Sequence, residues 1–249
     1  MISSFNELHQ MVKDSQPKRV ALVAAEDPVL IEAAKRAQEE GLARFILFGN
    51  SRKIESLNPP DASSFEIVDS QNPAIDAINY IHADKADLLM KGKIQTGDLL
   101  RAILNRDTGL RQGELLNHIA VIESPHYHKL LFISDGGINL HLDENVYQQM
   151  VVNITQYLKL LGIESPHFGM MTLVETVSKK IPETIIAQKV VKVLSKKVSI
   201  EGPIAPDVAL SREAATKKGL ESEIAGEIDV FLMPSTTAAN HLVKGLSAL

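Results

Sequence analysis

ADLLMKGKIQTGDLLRAILNRDTGLR, residues 86–111, reads as strand, polar turn and helix. Residues 87–90 form a short apolar run, 91–97 carry two lysines, two glycines and Thr96, and 98–105 repeat leucine and isoleucine at helical spacing. Thr96 is placed to cap that helix. A capped N-terminus leaves backbone N–H groups pointing outward with the positive end of the helix dipole, so Lys91, Lys93 and those donors converge on an anion, with phosphate the obvious candidate. Arg101 follows about a turn and a half later, flanking the stripe of Leu100, Ile103 and Leu104, where its fork reaches the same place. A solvated Lys-Gly turn and an arginine that only covers the edge of a core account for the same letters. Neither GxxxxGK[ST] nor GxGxxG occurs.

Upstream, the apolar run 20–25 suits a buried parallel strand, and a helix opens at Pro28 and stops at Gly41. Strand 45–48, a weak helix through Ile54 and Leu57, strand 65–68 and helix 73–83 continue the beat into residues 87–90. Alternating β and α segments predict a mostly parallel sheet with helices on both faces, which binds ligands outside the carboxyl ends of its strands. Glu26 and Asp27 stand at such an end, where charged residues opening a helix and favouring its dipole explain them better than a site does.

Downstream, strands at 117–122 and 130–134 flank Pro125-His126-Tyr127-His128. An exposed hairpin explains this His-x-His, because no carboxylate or third histidine shares a ligand spacing with it. The second strand delivers Asp135-Gly136-Gly137, where a backbone can approach closely. Asp135 is a site residue or a turn-forming carboxylate, and Asn139 and His141 are weaker candidates. Asp143 caps the longest helix, whose apolar face packs in its own domain or on another subunit. Strand 167–173 restarts the pattern, followed by the basic turn 178–182, helix 183–194 and a rigid extended path at 201–207. A helix at 207–217, strand 228–233 and a last helix holding Asn240 and Lys244 complete it.

The 249 residues, 45% of them hydrophobic, suffice for one large or two modest α/β domains, divided here as 1–140 and 141–249. A net charge of −5 argues against a general nucleic-acid or acidic-membrane surface, so a positive site must be focal. With no cysteine, a thiol nucleophile, a disulfide framework and cysteine metal sites are excluded. No apolar run approaches a bilayer span, and a cytoplasmic location is expected.

Residues 86–111, together with 20–27 (VALVAAED), 41–49 (GLARFILFG), 129–139 (KLLFISDGGIN), 201–207 (EGPIAPD) and 224–234 (IAGEIDVFLMP), resemble in family order the phosphate acetyl/butyryl transferases, and in particular their phosphate butyryltransferase branch. The resemblance implies reversible transfer of a short acyl group, butyryl or acetyl, from acyl-CoA to inorganic phosphate. Coenzyme A is then a substrate rather than a resident cofactor, with no metal in the catalytic step. It further implies a homodimer and two α/β domains with a cleft between them, on a scaffold like that of isocitrate and isopropylmalate dehydrogenases. Thr96 and Asp135 match catalytic positions. Substrate-binding positions are matched by Lys91, Arg101 and Arg111, by Asn139, by Glu201, Gly202, Pro203 and Asp207, and by Asn240 and Lys244. Ser235, Ala239 and Val243 depart from the family pattern, and the sequence reaches Leu249 before the family's KPVxxLSRxxS segment, which supplies a serine-arginine pair near CoA and an acidic base. The alternative expectation is a catalytically impaired homologue that binds phosphate, acyl phosphate or CoA.

Overall fold

A computed structural model describes residues 2–57, 65–113 and 115–248. The chain separates into an N-terminal unit, His9–Gln112, and a C-terminal unit, Met1–Leu8 with Gly113–Leu249. Residues 113–140 therefore belong with the second unit, and not with the first as the 1–140 division expects. The cause is strand pairing, since the strands in that stretch hydrogen-bond within the C-terminal sheet. Helix α1 (Phe5–Lys13) begins in residues held to the C-terminal unit, where the Phe5 N–H donates to Glu123 Oε2 at 2.7 Å.

The N-terminal unit contains β1 (Lys18–Val23), β2 (Ala43–Gly49), β3 (Glu66–Asp69) and β4 (Leu88–Lys91) in the order β3-β2-β1-β4, all parallel. Alternation along β1 and β2 sends Val20, Leu22, Phe45 and Leu47 to one face, against α2 (Pro28–Glu39) and α3 (Ser51–Leu57). Ala21, Val23, Ile46 and Phe48 go to the other, against α4 (Pro73–His82) and α5 (Thr96–Ile103). Both faces are thus buried, which is why these strands read as unbroken apolar runs. Asp27 caps α2, accepting from Val29 N at 2.9 Å, and Pro28 occupies the first turn, where no N–H is missed.

In the C-terminal unit the order is β5-β6-β9-β7-β8, formed by β5 (Ala120–Ile122), β6 (Leu131–Ser134), β7 (His167–Met171), β8 (Ser199–Ile204) and β9 (Val230–Leu232). Only β5 is antiparallel, as the expected hairpin requires. One face packs on α6 (Glu144–Leu160) and α7 (Pro182–Leu194) through Tyr147, Met150, Ile154 and Val190. The other packs on α8 (Pro206–Ala209), α9 (Arg212–Lys217) and α10 (Thr236–Ala248) through Val208, Ala215 and Ala239. The single helix expected at 207–217 is two, because Ser211 caps a fresh start by accepting from Ala214 N at 3.1 Å. The extended path at 201–207 largely joins the sheet as β8. No described helix is long and apolar enough to cross a membrane.

Candidate functional site

In the N-terminal unit, β4 runs beside β1 and delivers Lys91 opposite Val23. The following turn is stitched onto the end of β1. Gly92 N donates to Val23 O at 2.8 Å and Lys93 N to Ala24 O at 2.7 Å. Glycine is required there, since a Cβ at position 92 would stand 2.4 Å from both carbonyl oxygens. The N–H groups of Gly92 and Lys93 are therefore spent on β1. Thr96 does not cap α5 either. Gln95 is the N-cap, with an extended backbone and no side-chain bond, and Thr96 is the first helical residue. The N–H groups of Thr96 and Gly97 have no acceptor among the described residues, so the open helix end is retained on different donors.

Arg101 lies on the last turn of α5, and its Nη1 donates to Asp98 Oδ1 at 2.7 Å. The pair is open to solvent, with the arginine side chain 76% exposed. Among the described residues, the Lys91 side chain donates only to Gly92 O, at 3.3 Å. Arg111 is exposed and makes no ion pair with a described residue. Lys91, Thr96 and Arg101 thus share one strand-turn-helix, with Arg111 in the irregular segment beyond it, and the four do not bond to one another.

The C-terminal unit is built differently. At the carboxyl end of β6, Asp135 is fully buried. Its Oδ1 accepts from Gly137 N at 2.8 Å and Ile138 N at 3.0 Å, and its Oδ2 from Asn139 N at 3.1 Å and from Asn139 Nδ2. Asn139 also donates to Leu116 O at 2.9 Å. Helix α10 closes the loop from the other side, through the Thr236 hydroxyl on Asn139 O and Asn240 Nδ2 on Gly136 O at 2.9 Å. Asp135, Asn139 and Asn240 are brought together, and Asp135 spends its carboxylate on holding the loop.

His118 escaped the sequence reading. Its Nδ1 is buried without a partner, and a Cβ on Gly136 would stand 2.8 Å from it, so this ring is why position 136 is glycine. No local spacing announces a contact made only by the fold. The Asp98–Arg101 pair, by contrast, was readable as an i,i+3 spacing of opposite charges.

The remaining candidates stand apart from Asp135. Glu201 accepts from the Ser222 hydroxyl and from Glu223 N, fixing a neighbouring loop. Gly202 approaches Met170 closely and is followed by a cis Pro203. Asp207 pairs with Lys218 at 3.0 Å, and that bond holds its carboxyl below the usual range. Lys244 and His141 are exposed. His128 bonds Glu227 at 3.1 Å, and no described group of three or more histidines, aspartates or glutamates is arranged to hold a metal ion.

Residues 63–249 match the family model described as phosphate acetyl/butaryl transferase. A phosphate butyryltransferase of Clostridium acetobutylicum is 36% identical over 99% of this chain and 85% of that protein. A phosphate acetyltransferase of Thermotoga maritima is 33% identical over 92% of this chain and 81% of its own length. Among solved structures, a branched-chain phosphotransacylase from Enterococcus faecalis superposes with a TM-score of 0.80 at 23% identity, over 92% of this chain and 84% of that one. At that identity the likeness is one of fold.

Proposed function

The chain belongs to the phosphate acetyl/butyryl transferase family, and from that premise we propose that it is a phosphate acyltransferase, moving a butyryl or acetyl group reversibly between coenzyme A and inorganic phosphate. The observation that carries the reading is Arg101. It is a solvent-open guanidinium on the last turn of a short helix whose leading N–H groups are unclaimed, held only by an exposed carboxylate that an incoming dianion displaces.

The chemistry assigns the groups. A phosphate oxygen attacks the thioester carbonyl, the electron pair of the C=O moves onto oxygen, and collapse breaks the C–S bond to release the CoA thiolate, which then takes up a proton. Arg101, Arg111 and Lys91 bind and orient the phosphate. The N–H groups at the start of α5, with the Thr96 hydroxyl, stabilise the developing oxyanion. Asp135 acts through its loop, fixing the backbone of Gly137 and Asn139 with Asn240 behind it. Glu201, Gly202, Pro203 and Asp207 shape the end of β8, and Lys244 adds a cation on α10. Coenzyme A is consumed as a substrate. A cytoplasmic homodimer on an isocitrate/isopropylmalate dehydrogenase-like scaffold completes the reading. No observation favours the binding-only alternative.

Trapping the acyl phosphate with hydroxylamine tests this. Product forms from butyryl-CoA and acetyl-CoA only when phosphate is present, and Arg111→Ala raises the KM for phosphate. Equal product without phosphate would refute the assignment.

A further inference from the structure

At the amino ends of β1, β2 and β3, the pole of the N-terminal sheet opposite the turn after β4, lies a cavity of about 550 Å³. Arg19 of β1 and Arg44 of β2 line it and stand in direct register on neighbouring strands. Two residues before Ala21 and Ile46, both belong to the face that packs on α4. Lys85, between α4 and β4, is a third cation in the lining. Like charges side by side on a sheet are destabilising unless something neutralises them. Arg19 is neutralised within the fold. It donates to Asp87 through Nε at 3.1 Å and Nη2 at 2.8 Å, and to Asp84 Oδ1 at 3.1 Å. Arg44 is not, since it forms no ion pair or side-chain hydrogen bond with a described residue. Among the described residues, the Lys85 ammonium meets only the face of the Tyr80 ring, with Nζ 5.1 Å from the centroid. Glu66, the one carboxylate among the described lining residues, accepts from the Tyr80 hydroxyl at 3.2 Å.

Two cations and an amide thus border one cavity with donors to spare. Gln38 gives its Oε1 to Phe45 N at 3.2 Å and keeps its NH2 to donate. An arginine fork alone satisfies the two oxygens of a carboxylate, so the further cation and the amide suit a headgroup with three terminal oxygens. Pro17 and Ala43 add apolar lining, and the volume lies within the range of small-molecule sites. We propose that this cavity is a second ligand site, which takes a small organic phosphate monoester. The phosphate oxygens bridge Arg44 and Lys85, and the carbon body lies against Pro17 and Ala43. The site stands apart from the transfer chemistry. Four steps along β1 separate Arg19 from Val23, the residue that pairs with Lys91, which puts about 13 Å of strand between the two places. The phosphate held here is therefore not the one that Arg101 orients.

Titration calorimetry with phenyl phosphate tests the site in the Arg101→Ala protein, where the turn after β4 has lost its guanidinium. Phenyl phosphate binds that protein, and adding Arg44→Ala or Lys85→Ala weakens binding about tenfold or more, the loss expected when a charged hydrogen-bond donor is removed. Benzoate, which has the ring but only two oxygens, binds about tenfold more weakly than phenyl phosphate. Arg44 and Lys85 are both exposed, so neither substitution lowers the unfolding temperature of the ligand-free protein. Should one of them do so, Arg44→Gln and Lys85→Gln carry the same readout. No binding to Arg101→Ala, binding that neither added substitution weakens, or benzoate bound as tightly as phenyl phosphate would overturn the assignment. None of these readouts needs turnover, so a protein that binds phenyl phosphate as described but transfers no acyl group would break the transferase reading alone.

Discussion

The loop after β6 and the turn after β4 occupy equivalent places in their own units, each just past the carboxyl end of a parallel strand, but they spend their polar groups in opposite ways. Asp135 is fully buried, with four donors on its carboxylate. Arg101 is 76% exposed and held by one carboxylate. A buried, saturated carboxylate has no bond left for a ligand and contributes by holding shape. An exposed cation contributes little to folding and keeps its donors for an anion. The difference separates residues that build a site from residues that bind in it.

The widest gap is expected in stability. Asp135→Ala strands three backbone N–H groups and the Asn139 amide, and costs about 3 kcal/mol or more in denaturant unfolding. A loss too small to resolve would erase the distinction. Next comes Gly136→Ala, whose methyl meets the His118 ring and costs about 1 to 3 kcal/mol. Adding His118→Ala should relieve much of that penalty in a double-mutant cycle, and strict additivity would show that the ring is not the obstacle. Arg101→Ala should shift stability by less than about 0.5 kcal/mol, because its pair is exposed. The smallest effect concerns Asp207. Its folded pKa is depressed by Lys218, so the stability that it contributes is present above the unfolded carboxylate pKa and is lost as pH falls through the folded value. Carboxylate titration by NMR should show Asp207 moving up toward its ordinary range in Lys218→Ala.

Periodicity carried most of the fold. Buried parallel strands announce themselves as apolar runs, and the helix starts were visible in Pro28 at a first position and Asp143 as a cap. Two things were hidden. Whether a turn's N–H groups are free depends on which strand lies beside it, and β1 claims those of Gly92 and Lys93. Whether Asp135 faces a ligand or its own loop depends on burial, which an Asp-Gly-Gly string does not encode. The boundary near residue 112 was likewise hidden, because the partner of β6 is β9, far along the chain. Arg101 was legible as a cation on the helix after the turn, and its pairing with Asp98 only as a spacing.

The most direct test of the central claim is thiol release from butyryl-CoA, followed with a thiol-reactive dye, with and without phosphate, for the wild type and Arg101→Ala. The account predicts phosphate-dependent release that falls about 100-fold or more in the folded variant. A folded wild type that releases no thiol above background, or an Arg101→Ala protein that retains the full phosphate-dependent rate, would contradict it.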